Sequence, residues 1–434
     1  MYRRRKLGPC LKGKVGSRLL LGLMAGLAVA CAATPPSLTL PTLTTEEPAF
    51  ATTMQAFSGA SIYGNNRVRI LLNGQETFPA LRAAVRSARK TLTFEAYIFR
   101  EGRIADDLVE GFIDRCRAGV RVSILLDAHG SGDVPPRYVS ALREAGCDIV
   151  PEFRPLSVWN FERSNHRNHR RILVVDGRIG ITGGYGVDDA WSGDGRTKDQ
   201  WRDTDVWLEG PAVQDLQAAF IEHWKEATGV LLGGEEYFPW PPVEVKDEPV
   251  RAQVVRSAPT RDNFAIHRTF LQAISAAQRT IYISTPYLFP GDQLAEALKR
   301  AVARGVEVRI LVPSVVRSSG VEFITQASQR IGFGELLDAG ITLNEYEPAL
   351  LHTKTMVIDG CWATIGSTNF DNRSMAMNDE LNVILYDRDI ARHLEGIFLE
   401  DLRLSKTIDR AQLRERPLVG KWLGLLTSPL HDFF

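Results

Sequence analysis

The sequence predicts an α/β protein assembled as a tandem duplication, two lobes that each form a mixed, mostly parallel sheet flanked by helices. Three observations predict it. Amphipathic helical stretches alternate with apolar, β-branched ones, joined through glycines that suit helix C-caps. Strands connected through helices pair in parallel. The same succession also runs twice through a chain of 434 residues, 44% hydrophobic and 24% charged, which is long enough for two domain-sized units.

The elements follow in order. Residues 1–33 read as an export segment, because Arg3, Arg4, Arg5, Lys6, Lys12, Lys14 and Arg18 precede an apolar run from Leu19 to Ala33. The run is short for a membrane-spanning helix, which needs about 20 apolar residues. It resembles a bacterial lipoprotein signal, with Ala28 where leucine is usual and Cys31 at the attachment position. Plain cleavage, lipid anchoring at Cys31 and an uncleaved anchor all fit, and the expected location is the bacterial cell envelope, associated with the membrane. Loss of residues 1–30 leaves a formal charge of −7, since they hold those seven cations and no acid. A net acidic surface argues against nucleic acid as the principal ligand.

Residues 34–65, rich in Thr, Pro and Ala without helical or strand period, read as a flexible tether. The first lobe then spans 66–232, a Gly- and Pro-rich linker 233–250, and the second lobe 251–434. "LRAAVRSARKTLTFEAYIF" and "FLQAISAAQRTIYISTPYLF" each give a helix and a strand, aligning Tyr97 with Tyr287. "VEGFIDRCRAGVRVSILLD" and "LAEALKRAVARGVEVRILV" repeat this through Gly119 and Gly305, and "LREAGCDIV" and "LLDAGITLN" once more. The cysteine spacings match no metal pattern, and Cys116 and Cys147 fit either a disulfide or buried thiols.

Each lobe then reaches a histidine motif, His169, Arg171 and Asp176 in "HRRILVVD" and His352, Lys354 and Asp359 in "HTKTMVID". Residues two apart on a strand point the same way, so each histidine shares a face with its cation. The aspartates, at an odd offset, fall on the other face or in the following Gly turn and read as structural. Two such sets suit phosphodiester chemistry: one imidazole attacks phosphorus, the other donates to the leaving alkoxide, and two cations hold the equatorial oxygens, with no metal or cofactor required. Ser367 and Asn369 in "GSTNF", with Gly183 and Gly184 in the first lobe, can line a phosphate, and Glu380 and Asp203 are carboxylates able to fix a histidine tautomer.

These residues resemble the phospholipase D superfamily, whose signature is HxKxxxxD followed by GSxN, duplicated in one chain. "SNHRNHRRILVVDGRIGITGG", "WRDTDVWLEGPAV" and "LLHTKTMVIDGCWATIGSTNFDNRSMAMNDELNV" are similar to bacterial cardiolipin synthases, over about Val68 to Asp401. The resemblance implies two fused lobes with one active site at their interface, and a phosphatidyl group passed through histidine from one phosphatidylglycerol to another, releasing glycerol. It also implies His169 as nucleophile and His352 as general acid and then base. Partners are then a phospholipid substrate and a membrane surface, with no nucleic acid.

The first motif departs from the pattern. Arg171 replaces the family lysine, Gly184 stands where the second motif has Ser367, and Gly186 where it has Asn369. Arginine keeps the charge but its planar head would shift the phosphate, and one lost oxyanion donor is worth about 2.7–4 kcal/mol. A reversal of the two histidine roles, a hydrolytic phospholipase D or nuclease, and a non-catalytic lipid-binding envelope protein are the competing expectations. The single N-terminal segment replaces the family's two membrane helices. "YFPWPP" and the tail "KWLGLLTSPLHDFF" carry side chains suited to a membrane interface, though burial against the core competes for both. Glu95 and Tyr97 are placed on a strand end near the cleft, His166 reads as a turn or surface residue with substrate binding as the alternative, Asp127 and His129 read as turn-formers, and His223, His267, His393 and His431 have no surrounding motif.

Overall fold

A computed structural model describes residues 38–155, 166–243, 245–247, 249–259, 263–314, 330 and 332–414. The export segment and the C-terminal tail lie outside them. The predicted helix–strand units form as expected: Asn73–Ser87 leads to Thr91–Ala96, Arg103–Arg117 to Arg121–Asp127, and Pro136–Glu144 to Asp148–Phe153. In the second half Ala265–Ala276 leads to Thr280–Ser284 and Asp292–Ala303 to Glu307–Pro313. Gly119 (φ 86°) and Gly305 (φ 90°) end their helices in the left-handed region, where a side chain would be strained.

All the long strands join one 15-stranded sheet. From its first-half edge it runs Asp148–Phe153, Arg121–Asp127, Thr91–Ala96, Ile172–Val175, Ile179–Gly183, Thr204–Glu209 and Ile62–Leu72. It continues through Val250–Ser257, Glu380–Leu385, Trp362–Gly366, Thr355–Ile358, Thr280–Ser284, Glu307–Pro313 and Thr342–Tyr346, with Ser405–Thr407 at the far edge. The second half thus mirrors the first about the antiparallel seam between Ile62–Leu72 and Val250–Ser257.

The mixed α/β class holds, but the balance within the sheet is corrected: only the outer strands of each half pair in parallel. The motif strands and the seam are antiparallel. The reason is local. Each motif strand turns back at once through Asp176–Gly177 or Asp359–Gly360, all four with φ between 52° and 62°, which makes a tight hairpin in place of a helical crossover.

Helices cover both faces. Phe78, Phe94, Phe112, Leu173 and Trp191 belong to one core in the first half, and Phe270, Ile283, Leu298, Met356 and Trp362 to its counterpart. A third core crosses the seam, with Ile172, Val174, Phe220 and Val254 packed alongside Val357, Ile365 and Leu381. The motif strands are therefore buried on both sides, Leu173 facing one layer and Val174 the other.

The tether expectation for 34–65 is overturned from residue 38 onward. Pro48–Ser58 is a helix whose Phe50 and Met54 enter the second half's core, and Ile62–Leu72 is the central strand. Leu38 and Leu40 pack against the same core. The linker is docked too, Val245 N–H donating to Asn65 O at 2.8 Å. Cys116 and Cys147 form a disulfide with Cα atoms 5.6 Å apart, stapling the end of Arg103–Arg117 to the start of Asp148–Phe153.

Candidate active site

Each motif histidine stands just before its strand, and its position is set from across the seam. His169 N–H donates to Asp379 O at 3.0 Å, and His352 N–H to Arg202 O at 2.8 Å. The carboxylates are exchanged in the same way. Glu380, from the second half, lies 2.9 Å from His169 Nδ1, while Asp203, from the first, lies 2.7 Å from His352 Nδ1. Each ring also meets its own cation: Arg171 Nη2 is 3.1 Å from His169 Nε2, and Lys354 Nζ lies 2.9 Å from His352 Nδ1 and 3.0 Å from its Nε2. Both cations also donate to their histidine's carbonyl oxygen.

All of these groups are buried, and their charges reach one another. Burial, then Arg171 and Lys354, hold the His169 imidazole well below its ordinary value; burial and Lys354 take His352 down to about 3. Burial lowers Lys354 to about 7. The two carboxylates diverge. Burial drives Glu380 up to about 8, whereas His352, Lys354 and the Trp191 indole together outweigh burial and hold Asp203 below the usual carboxylate range.

The altered first motif is explained by neighbours. Asp203 is one carbon shorter than Glu380 and lies tight against the backbone: a Cβ on Gly184 would stand 2.3 Å from its Oδ1. In the second half the longer Glu380 leaves room for Ser367, whose hydroxyl donates to it. A Cβ on Gly186 would meet Trp191 Cη2 at 2.9 Å, and that indole donates to Asp203 at 2.8 Å. One on Gly183 would meet Asp205, which accepts from the Gly184 and Tyr185 N–H groups. Asn369 sits buried after Ser367 with its side-chain oxygen unpartnered among the described residues.

The motif aspartates do not reach the histidines. Asp176 accepts from the N–H groups of Arg89, Lys90 and Thr91, and Asp359 from those of Gln278, Arg279 and Thr280. Each pins the entrance of the neighbouring strand to the hairpin turn, which is a structural role. Tyr97 stands edge-on to His169, ring centroids 4.9 Å apart, while Trp191 and Trp201 flank His352 at 5.0 Å each. Asp127 accepts from the N–H groups of His129 and Gly130 and also from Asn168, tying its turn to the motif.

His223, which sequence reasoning left without a role, is fully buried between Glu95 (2.5 Å) and Asp379 (2.9 Å), and Arg154 adds a 2.8 Å ion pair to Asp379. This network holds the residue that precedes Glu380. Its counterpart is the Arg202–Asp401 pair before Asp203, at 2.8 Å. No local pattern marks His223, because its partners come from a strand and a loop far along the chain. His166 is buried, His267 is depressed to about 4 by burial, His393 lines a cavity of about 430 Å³ that no motif residue borders, and His431 lies outside the described residues. In "YFPWPP" Tyr237 is buried against the Gly177 turn and Trp240 is 80% exposed, at the end of the motif strand away from His169.

A two-lobed sheet with paired histidines, cations and exchanged carboxylates at the seam defines a phospholipase D-like phosphodiester-transfer enzyme. Residues 81–224 and 270–402 match the family described as cardiolipin synthase, phospholipase D-like domain, and the chain belongs to that family. It is 36% identical to a cardiolipin synthase of Geobacillus sp. (strain WCH70) over 83% of this chain and 72% of that one. It is also 36% identical to a probable cardiolipin synthase of Bacillus subtilis (strain 168), over 83% and 71%. A phosphatidylserine synthase from Haemophilus influenzae shares the fold, with a TM-score of 0.64 at 12% identity over 88% of this chain and 98% of that one.

Proposed function

We propose that this enzyme joins two phosphatidylglycerols into cardiolipin and glycerol, that it does so through a phosphohistidine, and that His352 is the nucleophile. The observation that carries the role assignment is the contrast between the two exchanged carboxylates: Asp203 accepts from the Trp191 indole at 2.8 Å and the Thr204 N–H at 2.9 Å, donors that favour its ionised form, whereas Glu380 is met by the Ser367 hydroxyl. Asp203, held below the usual carboxylate range, takes the Nδ1 proton of His352 and directs the Nε2 lone pair to the side where Lys354 Nζ stands 3.0 Å away, the place of the phosphate. Glu380, which burial raises to about 8, lies 2.9 Å from His169 Nδ1, so that carboxyl and imidazole can hold a proton between them. An anionic substrate draws that proton onto the imidazole, so the pair arrives charged as an acid. The resemblance assigns these roles the other way; the electrostatics favour the reverse.

In the first step His352 Nε2 attacks phosphorus, and the bond to the glycerol oxygen breaks as that oxygen takes the proton from His169 Nε2. In the second, neutral His169 takes the proton of the acceptor hydroxyl, its oxygen bonds to phosphorus, and the P–N bond returns its electron pair to His352. Arg171 and Lys354 hold the equatorial oxygens throughout. With 32P-phosphatidylglycerol, quenched early, His169→Ala is expected to retain label on the protein and His352→Ala none; label on His352→Ala alone returns the attack to His169. Cardiolipin as product supports the transferase reading, and phosphatidic acid alone replaces it with hydrolysis.

The reading includes export to a membrane-associated place in the bacterial cell envelope. It is supported by the N-terminal signal pattern and by the Cys116–Cys147 disulfide, a bond that persists in oxidising compartments.

A further inference from the structure

Glu380 is one methylene longer than Asp203, so one more torsion separates its carboxyl from its backbone. Asp203 is fixed at its own oxygens by the Trp191 indole and the Thr204 N–H. Glu380 is met there by the Ser367 hydroxyl and, at 3.4 Å, by the Asn378 amide, both side chains with torsions of their own. A long side chain among such donors keeps its aim only if its backbone is held.

That backbone is gripped from the other half, by three residues on one side of the helix Val213–Thr228. Glu222 Oε2 accepts from Arg170 Nη1 at 3.0 Å. Arg170, fully buried between His169 and Arg171 in the chain, reaches on to the Glu380 carbonyl with Nε at 3.3 Å, and to the carbonyls of Ala219 and Ser257 at 3.2 Å each. His223 Nε2 lies 2.9 Å from Asp379 Oδ2, and Glu226 pairs with Arg154, which donates to the same oxygen at 2.8 Å. Burial opposes ionisation of Asp379, but His223, Arg154 and Arg170 outweigh it and hold this carboxyl well below the usual carboxylate range. The duplication does not repeat this grip. Thr353 stands where Arg170 would, and the Asp203 carbonyl accepts from Arg202 and from the Asn73 N–H, both of its own half.

We propose that Arg170, Glu222 and His223 are positioning residues for the acid of the reaction: through them the first half's last helix fixes the Asp379–Glu380 backbone, so that the Glu380 carboxyl meets His169 Nδ1. They act through Glu380 and not on the substrate. The proposal rests on the reading above, in which the His169–Glu380 pair gives a proton to the leaving glycerol and takes one from the acceptor.

The test is turnover of 32P-phosphatidylglycerol in detergent micelles, with cardiolipin and phosphatidic acid counted together. Glu222→Gln and His223→Gln are each expected to lower kcat about tenfold while KM stays within about twofold. Each should also move the alkaline limb of the kcat profile down by about one pH unit, because an imidazole less well met by its carboxyl loses its proton sooner. In a Glu380→Gln background, where that carboxyl is already gone, the same changes are expected to alter kcat less than about twofold. Equal falls in the two backgrounds, or a fall with the pH profile unmoved, overturn the positioning role. Glu222, with its side chain 29% exposed, gives the answer if the buried His223→Gln does not fold. Wild-type turnover in Glu380→Gln itself overturns the acid–base reading and this role with it, whereas phosphatidic acid as the sole wild-type product overturns the transferase reading alone.

Discussion

A serine at position 184 or an asparagine at 186 would restore the second half's pattern to the first, yet neither has room. A Cβ at 184 would stand 2.3 Å from the Asp203 carboxylate, and one at 186 would stand 2.9 Å from the Trp191 indole that donates to the same carboxylate. Gly184→Ser and Gly186→Asn are therefore expected to lower cardiolipin formation ~10-fold or more, by displacing the carboxylate behind His352. A gain in activity would show that the site lacked a donor after all. Lys354 supplies a pH test. Its folded value of about 7 lies far below that of a free lysine, so the clamp is charged below pH 7 and loses its charge as pH rises through that value. Affinity for glycerophosphoglycerol, whose own charge is constant there, should fall above pH 7 by up to ~10-fold per unit. Calorimetric titration across pH 6–9 checks it; a flat profile would place the lysine's titration elsewhere.

Among the elements, the motif strands and helix–Gly–strand units were readable because period and caps are local signals. Asp203, Glu380, Ser367 and both histidines stand at motif positions, and Tyr97 at a strand end near the expected cleft, which is what made them legible. The helix Pro48–Ser58 was hidden by its Thr- and Pro-rich surroundings: only Phe50 and Met54 mark its buried face, and their partners lie some two hundred residues away. Phe50→Ala should cost about 3–5 kcal/mol in urea unfolding, where a loose tether would register nothing. The antiparallel bias was hidden by the hairpins, since alternating helices argue for parallel pairing until a two-residue Asp–Gly turn is recognised as its exception. His223 was unreadable because its carboxylate partners, Glu95 and Asp379, become neighbours only in the fold. The disulfide closes a loop with a sequence separation of 31 residues, and its reduction should lower stability by about 3–4 kcal/mol on the chain-entropy view, measurable as a shift in urea midpoint with and without dithiothreitol.

For the whole molecule, one sheet and a core shared across the seam make the halves a single cooperative unit. Heating should give one calorimetric transition, with no separate melting of either half. The exchange of carboxylates makes the chemistry equally indivisible: Glu380→Gln, a second-half change, is expected to slow catalysis ~100-fold through the first half's His169, and to be non-additive with His169→Ala in a double-mutant cycle. Additive losses would uncouple the pair. The same exchange governs what inheritance can do with the duplication. A chimaera that takes one half from a relative receives a histidine whose orienting carboxylate belongs to the other parent, and an Asp paired with a site cut for Glu stops short of the ring. Recombination within this chain is thus tolerated only where both parents agree on the length of that side chain, and the two halves can diverge in everything but the parts they lend each other.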